Sequence, residues 1–122
     1  LKLDGEEHSS TLKAANNYAN SLVNLKRFEE AKSVLRKTLP VARRDLGESH
    51  EIMLWMRWTF AEALYEDPAA TLDDLREAVT TLEDTERIAR RVFGGAHPLT
   101  EGAAGELQKA RAALRAREER GA

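Results

Sequence analysis

Gly47-Glu48-Ser49-His50 has two echoes along the chain: Gly5-Glu6-Glu7-His8, which begins 42 residues earlier, and Gly94-Gly95-Ala96-His97-Pro98, which begins 47 residues later. A spacing of this order marks a chain built from repeated supersecondary units. Superposing the first two units pairs Leu12 with Leu54, Tyr18 with Phe60, Ala19 with Ala61 and Leu22 with Leu64, all at helical spacing. Further on, Phe28-Glu29-Glu30-Ala31 pairs with Leu75-Arg76-Glu77-Ala78, and Ala42-Arg43-Arg44-Asp45-Leu46 with Ala89-Arg90-Arg91-Val92-Phe93. The five additional residues of the second unit therefore fall in its central turn, 66–72. There Asp67-Pro68 offers an N-cap followed by proline at the first helical position.

Composition supports the helical reading. Three prolines in 122 residues and a preponderance of Leu, Ala, Glu, Lys and Arg favour helix throughout. Helices are expected near 9–25, 28–45, 51–65, 69–92 and 98–118, joined by short turns and so packed as antiparallel neighbours. The expected fold is all-α, antiparallel helix-pair repeats amounting to about two and a half units in one domain: 5–46, 47–93 and a partial or capping unit 94–122. Residues 1–4 resemble the tail of a preceding second helix, as in Asp45-Leu46-Gly47, and the chain reads as an excerpt of a longer protein.

Several function classes have little support. Nineteen basic residues against 21 acidic ones, interspersed, give no positive field for nucleic acid. No apolar run approaches the ~20 residues that cross a bilayer, so no membrane partner is expected. Cysteine is absent, which removes disulfides and thiolate chemistry and suits a reducing compartment, so a cytoplasmic location is expected. The chain is expected not to be an enzyme and to need no cofactor: there is no phosphate loop, no nucleophile elbow, and His50-Glu51 lacks the second histidine of a zinc-protease helix. Equivalent histidines in successive repeats stand at least one helix spacing apart, about 8–10 Å, too far to share a metal. Their expected task is to start helices after the glycine that ends the preceding one. The Arg43-Arg44 and Arg90-Arg91 pairs are expected to complement the C-terminal ends of helix dipoles.

Gly-x-x-His, then Asn16-Asn17-Tyr18-Ala19, then Phe28-Glu29-Glu30-Ala31 and a closing Leu46-Gly47 resemble the long repeats of kinesin light chains, of the tetratricopeptide-repeat (TPR) class. The resemblance extends over nearly all 122 residues. It departs from the pattern at Arg57, at the enlarged second turn, and in having Pro after His97 but not after His8 or His50. It implies a right-handed superhelix whose concave wall is lined by the first helix of each pair, and a protein or peptide partner bound there.

On a helical wheel Leu12, Ala15, Tyr18, Ala19 and Leu22 gather on one side, the core side, and Lys13, Asn16, Asn17, Asn20 and Asn24 on the other. Asparagine is a poor helix former, so an amide-rich stripe costs stability unless something compensates. Asn side chains offer donors and an acceptor to an extended backbone. Lys13, Asn16, Asn17 and Asn20 are therefore the leading peptide contacts. The second unit places Trp55, Trp58, Thr59 and Glu62 at equivalent offsets, with Tyr65 close by; tryptophan is enriched among interface hot spots. The plain alternatives are a solvated Asn face and tryptophans buried between helices. In the third unit Gly102, Gly105, Glu106 and Lys109 occupy the same offsets, giving an open, weakly charged end to the wall. Two functions follow: a protein-binding module, or a structural or self-associating segment of a longer solenoid that forms homo-oligomers through its terminal repeats. Lys13 and Lys109 are opposed by Glu62 and Glu106, so the preference of kinesin light chains for acidic ligands is not expected here.

Overall fold

The computed structural model describes residues 5–121, with side chains from residue 9, as five helices and no strand. They are α1 (Gly5–Asn24), α2 (Phe28–Leu46), α3 (Glu51–Glu66), α4 (Leu72–Phe93) and α5 (Pro98–Gly121). The expected tail of a preceding helix at 1–4 lies outside the described residues.

Two of the connectors are built alike, and the glycine-histidine signature explains both. Gly47 and Gly94 take φ of +93° and +91°, a region that costs residues with a Cβ dearly. Each glycine N–H returns to a carbonyl of the helix it ends, and each glycine carbonyl accepts the N–H of the histidine three residues on. The histidine then opens the next helix. Its carbonyl accepts the N–H of Leu54 or Glu101, and its Nδ1 accepts that of Ile52 or Leu99, both at 3.1 Å. An imidazole thus does the work usually given to Ser or Asp at an N-cap. Gly5 behaves differently. It is already helical, so α1 begins four residues before the expected start and His8 falls inside the helix. The sequence signature is repeated there but the turn is not.

The central turn of the second unit corrects a second expectation. Asp67 and Pro68 do not open α4. Asp67 closes a turn of its own, its Oδ1 accepting from Ala69 N–H at 2.9 Å and its carbonyl from Ala70 N–H at 3.0 Å. The N-cap is Thr71, whose hydroxyl accepts from Asp74 N–H while the Asp74 carboxylate accepts from Thr71 N–H, a reciprocal capping box. Of the five additional residues, two lengthen the linker, 67–71 against 25–27, and three add a turn to α4, which has 22 residues against 19 in α2.

Consecutive helices pack on one another, and α1 touches α3 as α3 touches α5, so the first helices of the pairs form one continuous wall. Alanines with no exposure, Ala19 and Ala31, Ala61 and Ala78, and Ala103, sit in these helices and permit close approach. One core cluster runs from Leu12 through Leu35, Met53, Met56 and Leu64 to Leu82 and Leu107. Tyr18 does not belong to it. Although its counterpart Phe60 is 7% exposed, Tyr18 is 55% exposed. Phe60 is covered by the preceding repeat, with the Arg36 guanidinium of α2 5.8 Å above its ring, and no described helix stands in that position over Tyr18.

Candidate binding groove

The wall made by α1 and α3 holds a cavity of about 650 Å³. Lys13, Asn16, Asn17 and Asn20 line it from α1; Trp55, Trp58, Thr59 and Glu62 line it from α3, joined by His50, Glu51 and Ile52. The eight residues expected to act together therefore share one concavity. Helical periodicity brings this about, because residues three and four apart stack along one face.

Within the groove the side chains differ in freedom. Lys13, Asn17 and Asn20 are exposed, whereas Asn16 is half-buried and its Oδ1 is enclosed without a donor. Thr59 is buried, its hydroxyl donating to the Trp55 carbonyl at 3.1 Å, so it supplies shape rather than a free polar group. The two indoles stack, centroids 4.8 Å apart and planes 19° off parallel. Both are half-buried, packed against Leu54, Ile88 and Leu99 on one side and facing the cavity on the other. Neither plain reading, a fully exposed platform or a buried core pair, describes them. The Trp55 N–H donates to Glu51 Oε1 at 3.4 Å.

The third part of the wall corrects the expectation of an open, weakly charged end. A Cβ on Gly102 would lie 2.1 Å from Cη2 of Trp58, so the indole occupies the space that the missing side chain leaves. Glu106 is 9% exposed; it accepts from the Tyr65 hydroxyl and from Lys109 Nζ, the latter at 3.4 Å. It meets Glu62 and Glu66 so that carboxylate oxygens of all three lie within 4.8 Å of one another. Burial, reinforced by the charges of Glu106 and Glu66, pushes the Glu62 carboxyl up to about 8, and a hydrogen bond from Trp58 only partly opposes this. Burial and the bond to Glu106 push the Tyr65 phenol up as well. Sequence reasoning missed this trio because its members come from two helices forty residues apart. The i, i+4 pair Glu62 and Glu66 was the available signal.

The paired arginines and the histidines take up structural work. Arg43 and Arg44 bond to Glu48 and Asp45, and Arg90 to Glu86. His50 and His97 spend Nδ1 on capping. Arg57, which departs from the repeat pattern, reaches Glu48 at 3.6 Å and Asp84 at 3.5 Å and so ties α3 to the preceding connector and to α4.

Among the described residues no helix is long and apolar enough to cross a membrane. No curated protein and no solved structure gives a significant match to the chain. Residues 11–51 match the family model described as Tetratricopeptide repeat, a span that runs from α1 through α2 to the cap of α3. That match covers the first helix pair, which is a tetratricopeptide repeat, and the second pair carries Leu54, Ala61, Leu64 and Ala78 at the positions of Leu12, Ala19, Leu22 and Ala31.

Proposed function

We propose that this protein is an interaction module that holds an extended segment of another protein in the groove between α1 and α3. Tetratricopeptide repeats generally mediate protein–protein contacts without catalysing a reaction. The observation that carries the reading for this chain is the meeting, in one cavity, of an amide stripe and a stacked tryptophan pair. Amides pair with the donors and acceptors of an extended backbone, and indoles supply rigid apolar area. Asn17 and Asn20 are the backbone contacts, with Asn16 Oδ1 as an enclosed acceptor, and Trp55 and Trp58 the anchors. The reading resembles the way kinesin light chains take cargo, and the cytoplasm is the expected place for it.

Peptide display on this protein tests the groove. Peptides enriched by the native protein and not by a folded variant carrying Asn17→Ala, Asn20→Ala and Trp58→Ala are the expected result; equal enrichment by both removes the groove from the account.

A second reading, self-association as part of a longer stack, is favoured by Tyr18, which stands exposed where the equivalent Phe60 is covered by another repeat. Sedimentation of the native chain and of Tyr18→Ser distinguishes it: a dimer that the substitution dissolves supports this second reading.

A further inference from the structure

The groove is rich in acceptors and poor in positive charge. Lys13 is the cation that lines it, against Glu51 and Glu62. At the α5 end Glu62 meets Glu66 and Glu106. Three carboxylates at such spacing repel one another, the more strongly because Glu62 and Glu106 are drawn away from water. Nearby donors are already engaged: Trp55 serves Glu51, Trp58 serves Glu62, and Tyr65 and Lys109 both serve Glu106. Independently of the carboxylates, the buried Asn16 Oδ1 has no donor at all. A cavity with these properties calls for a ligand that brings both donors and positive charge.

We propose that the groove selects a partner segment carrying an arginine, whose guanidinium lies beside the stacked indoles of Trp55 and Trp58 and forks to the carboxylates of Glu62, Glu66 and Glu106. This rests on the groove reading above and names the chemistry of the ligand. Arginine is chosen over lysine on physical grounds. Its planar, weakly hydrated cation stacks on aromatic rings and bonds two carboxylate oxygens at once, whereas an ammonium is a hydrated point charge. The charged groups that face Glu62 are Glu66 on its own helix, Glu106 with its partner Lys109 on α5, and Lys13 across the groove on α1. With its carboxyl pushed up to about 8, Glu62 holds a proton at neutral pH that relieves part of the repulsion. A guanidinium relieves it instead, so binding below that pH releases a proton, up to about one per site, and affinity rises with pH towards about 8.

The test begins with display of random dodecapeptides on the native protein, counter-selected on the folded groove variant. Arginine several-fold above its library frequency, with Asp and Glu depleted, is the expected result. Groove-dependent peptides with no arginine enrichment overturn this inference and leave the groove reading intact; an absence of groove-dependent peptides overturns both. One enriched peptide is then compared with its arginine-to-citrulline counterpart, which keeps shape and loses charge. The citrulline form should bind about tenfold more weakly to the native protein, and Glu62→Gln and Glu106→Gln should narrow that gap. Calorimetry in two buffers of different ionisation enthalpy should show the released proton at pH 7. If both Gln variants weaken the two peptides alike, the carboxylates are not the arginine site.

Discussion

At the scale of the residue, the conformations that decide most are those a side chain must be persuaded to take. Lys26 ends the first helix with φ of +61°. Its N–H returns to Val23 O at 2.9 Å, and that of Arg27 to Leu22 O at 2.8 Å, the bonding of a helix end that ordinarily carries glycine. Lys26 is exposed and contributes no buried contact. Lys26→Gly should therefore raise stability by about 0.5–1 kcal/mol in urea unfolding, because the strain it removes outweighs the added freedom of the unfolded chain. Glu62 carries a different load. Its folded-state carboxyl titrates near 8, above the ordinary glutamate range, so the folded protein binds more protons than the unfolded one between about 4.5 and 8. Stability contributed by the protonated form is present in full below that window and is lost as pH rises through it. Glu62→Gln should flatten that decline and leave the variant more stable than the native protein at pH 8.5, on the order of 1–2 kcal/mol once solvent screening of a part-exposed group is allowed for, with little difference at pH 4.5. Thermal melts across the range decide it, and parallel curves for the two proteins would refute it. The groove amides were legible at this scale because Asn is costly in a helix and Asn16, Asn17, Asn20 and Asn24 shared a face, the first three of which line the groove. The burial of Glu106 was not, because Tyr65, Glu62 and Glu66, which it meets, lie on α3 and no local pattern of α5 points to them.

At the scale of the element, the helices and their order follow from periodicity and connectors, and the errors lie where two capping options compete. Asp67-Pro68 has the composition of a helix start, yet Thr71-x-x-Asp74 satisfies two end groups reciprocally and takes the role. Asp67 is thereby free for another task. Lys32 of α2, 3% exposed, reaches Asp67 Oδ2 at 3.3 Å and Glu29 at 2.7 Å. Burial alone would lower its ammonium pKa, but the bonds to Glu29 and Asp67 raise it overall, so the ammonium stays charged. The bond clasps the first repeat to the turn that the second repeat lengthened. That explains a feature that sequence comparison of the repeats leaves unassigned, because Lys32 has the look of an ordinary charged position between two glutamates and a serine. Lys32→Met keeps the apolar stem and removes the charge. It should cost about 1–3 kcal/mol, since Asp67 is left part-buried with only the Ala69 N–H as partner. Chemical denaturation measures it, and Lys32→Met combined with Asp67→Asn should recover part of the loss; an unrecovered loss would assign the effect to packing of the stem.

At the scale of the whole molecule, repeat proteins divide into those whose units melt separately and those whose interfaces bind them into one transition. Here the interface residues of the two repeats are unequal. Met53, Met56, Phe60 and Ala63 on α3 are buried, while their counterparts on α1, Thr11, Ala14, Tyr18 and Ser21, are exposed. Among the described residues, the first repeat therefore meets another repeat on one side only, that of the second. The continuous cluster from Leu12 to Ala110 crosses every described helix, and a second cluster joins Leu22, Val23, Phe28 and Ala31 of the first pair to Ala63 of α3, so the first pair shares its apolar burial with the second. Substitution within either cluster should then be felt throughout. Ala31 has no exposure and sits in α2, distant in sequence from both tryptophans, which report on α3. Ala31→Asp buries an unpaired carboxylate where helices approach closely, a loss of about 3 kcal/mol or more. If the interface couples the repeats, far-UV circular dichroism and tryptophan fluorescence should still give coincident urea transitions in this variant, both moved to lower denaturant by the same amount. Loss of about two-fifths of the helical signal ahead of any change in fluorescence would show instead that α1 and α2 unfold alone; the groove, which needs α1 for one wall, would then form only when the first repeat is docked, and ligand would have to restore the coincidence of the two transitions.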